Sequence, residues 1–351
     1  MNEFIPRRGR GIVSHVSELI GRTPLFELCT TGTGVRLLLK LEQFNPTGSA
    51  KVRMAEQMIA DAEREGRLRP GGRIVEPTSG NTGLGLALAA LERGYRFTAV
   101  VDHHASKDKL RAMKALGAEL VYVADDGSGT LRSVERRRVA AELVAADREA
   151  YWPDQHNHPG NGGGYRELAK ELLADAGQID WLIGAIGTGG SLCGTARELR
   201  RLRCPARTIA VEPDGSIIFG APPGPYRQTG SGSPAGFPVG KNVCPELIDE
   251  GVQASDVDAF ATARALARHT GLMVGGSAGG AIHVALERID ALPPGSTAVV
   301  LVCDAGEKYL DSVYDDEWLR GHGLLAPDVE EQVLQRLTRH TEVGHALQWV
   351  S

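Results

Sequence analysis

Apolar residues recur along this chain in two rhythms. Short, nearly continuous runs read as buried strands: Val35-Arg-Leu-Leu-Leu-Lys-Leu41, Arg73-Ile-Val-Glu76, residues 96–102, 119–123, Trp181-Leu-Ile-Gly-Ala-Ile186, 207–211 and Thr297-Ala-Val-Val-Leu-Val302. Between them lie segments of helical period at 54–65, 84–93, 107–116, 256–269 and 281–289, with a heavily charged one at 130–148. The alternation predicts an α/β fold of two doubly wound domains with mainly parallel sheets covered on both faces. Residues 1–155 are expected to form the smaller domain, with the first 35 residues or so packing on the other one. Residues 156–325 form the larger domain and 326–351 a helical tail, whose plain reading is a surface helix and whose functional reading is an oligomer or regulatory contact.

Two stretches break the rhythm. After Tyr151-Trp-Pro-Asp-Gln155 the chain turns polar and glycine-rich through Gly164, a candidate hinge and cleft lining. Between Pro213 and Val239 it is irregular and rich in Gly, Pro and Ser, as a lid, a substrate loop or a mobile segment would be.

Composition narrows the class. A net charge of −5 over 351 residues, with both signs interspersed, gives no footprint for nucleic acid or an anionic membrane. The five cysteines, Cys29, Cys193, Cys204, Cys244 and Cys303, are scattered without a CxxC pair or a His/Cys cluster, so no metal site is expected and a reduced cytoplasm is. No apolar run approaches membrane-spanning length, and the N-terminus lacks an apolar signal core.

The candidate chemistry lies in turns. Asn45-Pro-Thr-Gly-Ser-Ala-Lys51 follows a strand and leads into a helix, with Ser49 as the expected N-cap and Lys51 in the first turn. The positive end of a helix dipole disfavours an ammonium, which suits an amine that must react as a nucleophile with an aldehyde. Pro77-Thr-Ser-Gly-Asn-Thr-Gly83 and Gly187-Thr-Gly-Gly-Ser191 each join a strand to a helix. The second offers unpaired backbone N–H groups and the hydroxyls of Thr188 and Ser191 as a cup for a phosphate dianion. It is not a nucleotide P-loop, since no lysine follows its glycines.

Taken in order, the lysine motif, these two loops, Val274-Gly-Gly-Ser-Ala-Gly279 and Asp304-Ala-Gly-Glu-Lys-Tyr309 resemble the pyridoxal-phosphate enzymes of the cysteine synthase and cystathionine β-synthase family, from about Ile20 to Leu310. The resemblance implies a tryptophan synthase β-like fold with pyridoxal 5'-phosphate in the cleft between the domains. It implies Lys51 as covalent anchor and general base; Asn81, Gly187, Thr188, Gly189, Gly190 and Ser191 as cofactor-binding; and Thr78, Ser79, Gly80, Thr82 and Gln155 as substrate-binding. The reaction implied is β-replacement on an activated L-serine through an aminoacrylate, in a cytoplasmic homodimer acting on small amino-acid substrates.

The chain departs from the family in places. Val52 stands where an aspartate is usual, and His156–Tyr165 lacks a Thr-Thr-Gly run. The Ser or Thr that commonly faces the pyridine nitrogen is mapped onto Ala305, which has no side-chain donor. Asp304, Cys303 or a water then takes that role, or the nitrogen is unpaired. Segments such as Val100-Val-Asp102 and residues 309–318 resemble the branch that joins O-phosphoserine to an amine such as glutamate on the way to 2,3-diaminopropionate, for which Arg53 or Arg227 are candidate phosphate ligands. Homocysteine as nucleophile, a dehydratase or lyase, and a non-catalytic binding relative are the other readings. His103, His104, His156 and His158 are taken as loop or surface histidines.

Overall fold

The structure is a computed structural model that describes residues 11–348 apart from 104 and 125–131; side chains are described as far as residue 340. His104 and the expected start of the charged helix at Thr130 lie outside the described residues. Among the described residues the strands are β1 (Leu25–Thr30), β2 (Arg36–Leu41), β3 (Arg73–Pro77), β4 (Arg96–Val101), β5 (Glu119–Tyr122), β6 (Ala150–Tyr151), β7 (Trp181–Ala185), β8 (Arg207–Pro213), β9 (Glu250–Ala254) and β10 (Thr297–Val302). The helices are α1 (Lys51–Arg64), α2 (Asn81–Arg93), α3 (Lys107–Ala115), α4 (Ser133–Ala146), α5 (Gly160–Gly163), α6 (Arg166–Ala176), α7 (Gly190–Arg201), α8 (Asp256–Thr270), α9 (Gly276–Arg288), α10 (Asp316–Gly321) and α11 (Pro327–Gln348).

The strands form two sheets, one of six strands in the order β1-β2-β10-β7-β8-β9 and one of four in the order β5-β4-β3-β6. Every pairing is parallel except β1 with β2. The fold is therefore the α/β architecture of mainly parallel sheets that the alternation predicts. In the larger sheet the two-residue period sorts side chains between two cores. Leu37, Leu39, Val300 and Val302 point into one with Phe260, Leu266, Ile282 and Leu286 of α8 and α9. Leu38, Val299 and Leu301 point into the other with Leu168 and Leu172 of α6 and Leu192 and Leu199 of α7.

Helix α1 joins the halves. Met54 and Met58 lie in the core of the larger sheet, whereas Ala55, Ile59 and Ala62 pack with α2, β3 and β4 in the core of the smaller one. Two buried stripes on one helix fix where its first residue points, and that residue is Lys51. Beneath it, Arg53 donates to Glu42 at 2.6 and 2.8 Å and to Glu171 at 2.8 and 2.9 Å, and Lys40, fully buried, sits 2.9 Å from Glu171. Among the described residues no helix is long and apolar enough to cross a membrane, and no cluster of His, Cys, Asp and Glu is suited to a metal.

The tail helix is not a bare surface element. Leu337 of α11 is fully buried and Val333 nearly so, in the core shared with α8, and Glu330 accepts from Arg264 at 3.0 Å.

Candidate functional site

Parallel strands deliver their following loops to one edge of a sheet, and ligands of such sheets bind where those loops diverge. Here the turns after β2, β3, β7, β8 and β10 converge on a cleft with about 420 Å³ of open space. Lys51, Asn81, Gly187, Thr188, Gly189 and Ser191 line it together, so the amine and the glycine cup face the same space.

The turn that carries Lys51 is held from behind by the end of β10. Ala50 N–H donates to Cys303 O at 2.8 Å, Ala305 N–H donates to Gly48 O at 3.2 Å, and Ser49 bridges Asp304. Thr47 (φ 67°) and Gly48 (φ 66°) lie in the left-handed region, which bends the chain sharply enough to start α1 with Lys51 pointing outward. Ser49 is not the N-cap; Ala50 is, and the Ser49 hydroxyl lies 3.4 Å from the Lys51 N–H instead.

The glycine cup opens α7. Gly189, its N-cap, has φ 85° and no side chain to cap the helix, and the Gly190 N–H donates weakly to Thr188 Oγ1 at 3.4 Å. A Cβ on Gly189 would sit 2.4 Å from Asn242 O, and one on Gly190 would sit 1.8 Å from Asn161 Oδ1. Glycine is therefore required at both positions by close approach. Gly190 packs behind the cup rather than lining the cleft. Thr188 Oγ1 is held at 3.1 Å by Asn161 Nδ2, which also donates to Gln155 O at 2.6 Å.

None of the expected substrate residues Thr78, Ser79, Gly80, Thr82 and Gln155 lines the cleft wall; the first four flank Asn81, which does. Thr82 donates to Gln155 Oε1 at 2.6 Å, Thr78 Oγ1 accepts from Gly83 N–H at 3.2 Å, and Gly80 is the N-cap of α2. Ser79 Oγ accepts from Arg136 at 2.9 Å. Arg136, nearly buried on the charged helix α4, also lies 3.2 Å from Asp102. One turn of the helix read from its sequence as a solvated face thus reaches the rim. The two arginines suggested for a phosphate are committed elsewhere: Arg53 to Glu42 and Glu171, and Arg227 against the Trp318 ring at 5.7 Å.

Ala305 lies outside the cleft wall, its backbone bridged to Val274 and hydrogen-bonded to Gly48. Ser277, in the first turn of α9, adds a hydroxyl to the wall. Its motif is visible in the sequence, although its helix starts at Gly276, five residues ahead of the expected Ala281. Asp304, Cys303 and Thr229 also line the cleft. Asp304 Oδ2 accepts from Asn81 Nδ2 at 2.7 Å and from the Tyr309 hydroxyl at 2.6 Å, while its buried Oδ1 has no partner. Burial pushes the Cys303 thiol up to about 11 and the His156 imidazole down to about 4, so at neutral pH both are uncharged.

The residues present fit a phosphorylated aromatic aldehyde: an amine for the aldehyde, an uncapped helix start and two hydroxyls for the phosphate, and an unpartnered carboxylate oxygen, an amide and a serine hydroxyl along the wall.

Comparison with known proteins agrees. Residues 16–304 match the family model described as pyridoxal-phosphate dependent enzyme. A protein of Sinorhizobium fredii named "Putative cysteine synthase" is 51% identical over 320 residues, covering 91% of this chain and 95% of that one. The N-(2-amino-2-carboxyethyl)-L-glutamate synthase of Ralstonia nicotianae is 37% identical, covering 88% and 91%. The crystal structure of O-acetyl serine sulfhydrylase isoform 3 from Entamoeba histolytica superposes with a TM-score of 0.83 at 32% identity, covering 94% and 97%.

Proposed function

Because this chain belongs to the pyridoxal-phosphate dependent enzymes of the cysteine synthase and cystathionine β-synthase family, we propose that it replaces the β-substituent of an activated L-serine, O-acetyl- or O-phospho-L-serine, with sulfide as the default nucleophile. The observation that carries this is the shared cleft: Lys51 and the Gly187–Ser191 cup face one space. Pyridoxal phosphate, when bound, supplies an electron sink that acidifies the substrate's α-proton and lets the β-substituent depart.

The chain's own residues do the rest. Ser191, Thr188 and the N-terminal amides of α7 hold the phosphate with fixed dipoles. Lys51 anchors the aldehyde and, once substrate takes its place, receives and returns the proton at Cα. Asn81, at the start of α2, and Ser277, in the first turn of α9, orient the ring. Thr78, Ser79, Gly80, Thr82 and Gln155 hold the substrate carboxylate, which sets the Cα–H bond against Lys51.

One observation favours a second reading. Arg136 on Ser79 puts a buried guanidinium beside the substrate loop, where it would complement a phosphate leaving group. O-Phosphoserine with an amine nucleophile such as L-glutamate, giving a 2,3-diaminopropionate precursor, is that alternative, and the Ralstonia relative's name is of this kind.

The test is a visible-spectrum titration of the cofactor-loaded protein with each activated serine, followed by sulfide, glutamate or homocysteine. A spectral change with O-acetylserine that sulfide reverses supports the first reading; one restricted to O-phosphoserine and reversed by glutamate supports the second. Pyruvate and ammonia released without any added nucleophile would replace both with an elimination. Lys51→Ala is expected to lose the cofactor's visible band and turnover together, and full turnover in that variant would overturn the assignment of the base.

A further inference from the structure

Behind Asn81 stands a lysine that does not line the cleft. Lys308 Nζ donates to Asn81 Oδ1 at 2.7 Å and to Thr47 O at 2.6 Å. On the other side of the same amide, Asn81 Nδ2 donates to Asp304 Oδ2 at 2.7 Å. We propose that Lys308 is a positioning residue that fixes the Asn81 amide with an N–H, never its carbonyl, toward the cleft, and couples that orientation to the turn carrying Lys51.

The argument is one of donor and acceptor counts. An ammonium can only donate and a carboxylate can only accept. Reversing the amide would set its NH₂ against the Lys308 ammonium and its oxygen against Asp304, two repulsions in a site of low polarity. Asp304 takes one amide hydrogen, and the second is left to donate into the cleft. An acceptor on the bound cofactor's ring edge is what such a group can recognise, so the inference rests on the cofactor site proposed above.

The second contact gives the coupling. Thr47 holds its carbonyl in the left-handed turn before Lys51, and a Cβ on the adjacent Gly48 would come 3.2 Å from Lys308 Cε. The lysine stem therefore lies flat on the turn, and its head ties this turn to the start of α2. Charged groups face it from several elements: Asp304 and Glu307 on its own loop, and Lys109 of α3, whose ammonium stands 4.2 Å over the Tyr309 ring. Burial brings Lys308 down to about 8, so its charge changes within an accessible pH range.

The experiment compares wild type, Lys308→Met, Lys308→Arg and Lys51→Ala, each loaded with pyridoxal 5'-phosphate, by visible absorption from pH 6.5 to 9.5 and by cofactor release on dialysis. Lys308→Met is expected to move the visible maximum and weaken cofactor retention about tenfold, with the far-ultraviolet dichroism of wild type. Lys308→Arg should restore both, and a wild-type spectral transition near pH 8 should be absent from both variants. Lys308→Gln serves as the neutral variant where Met does not fold. A neutral variant with the wild-type maximum, retention and pH response overturns the inference alone, provided Lys51→Ala loses the band. A wild-type protein that takes up no cofactor overturns the reading of the cleft, and this inference with it.

Discussion

Glu76, in the middle of β3, holds the rim in place: its carboxylate accepts the backbone N–H of Asp154 at 3.0 Å and of Gln155 at 3.4 Å. Complete burial and the nearby Asp154 charge push it up to about 8. A carboxyl raised in the folded state contributes stability that is full below its unfolded value near 4.5 and is lost as pH rises through 8. Glu76→Gln keeps an acceptor and removes the charge. The expected result is a melting temperature that no longer falls between pH 5 and pH 9, read by thermal unfolding at each pH. At Gly190 the argument is steric. Gly190→Ala drives a methyl into Asn161, and cofactor affinity should fall at least about tenfold. The double variant with Asn161→Gly should recover part of it, since the clash is pairwise. Both readouts are cofactor titrations. Lys51, Asn81 and the glycine cup were legible because a strand, a turn and a helix start are written locally. Asp304 was named only as one alternative, and Ser277 and Arg136 were not singled out, because their positions depend on which loops the sheets bring together.

Most of the strands were legible, including the edge strand β5, none of whose residues is buried. The central strands β2, β7, β8 and β10 carry near-continuous apolar runs and lie within two residues of their expected bounds. The edge strands β1 and β9 went unread: in β9 only Ala254 is buried, so the pattern that would announce a strand is half missing. Helix α2 begins at Asn81 instead of Leu84, because its first turn is Asn-Thr-Gly, poor in helix propensity and held by the loop around it. Helix α11 spans Pro327–Gln348, inside the stretch expected as a helical tail. Its hold on α8 predicts that Leu337→Ala destabilises the protein by about 2–4 kcal/mol, measured by denaturant unfolding, while the cofactor's visible spectrum is unchanged. A spectrum altered in step with stability would mean that the tail is coupled to the cleft.

At the scale of the molecule, a buried charge network ties α1 to β2 and α6. Burial alone would raise Glu171, but the hydrogen bonds and charge of Arg53, with Lys40, bring it down to about 2. A carboxylate depressed in this way contributes stability that is full above its unfolded value near 4.5 and is lost as pH falls toward 2. Glu171→Gln should therefore cost about 2 kcal/mol at neutral pH and flatten acid unfolding in that window, as followed by dichroism. The expected division near residue 155 becomes a proposal about motion: the four-stranded sheet and its helices swing on α1 and the residues around Gln155 to close over the substrate.

The pairing of β2 with β10 has a consequence for how the protein is made. Arg36–Leu41 leaves the ribosome long before its neighbour on the inner side of the sheet, Thr297–Val302. At synthesis rates of roughly 5–20 residues per second, those leucines wait many seconds with their inner edge unmatched, while the self-contained four-stranded sheet can already be complete. Nascent chains halted before β10 should consequently be the form that chaperones hold and proteases cut, at the amino-terminal strands first.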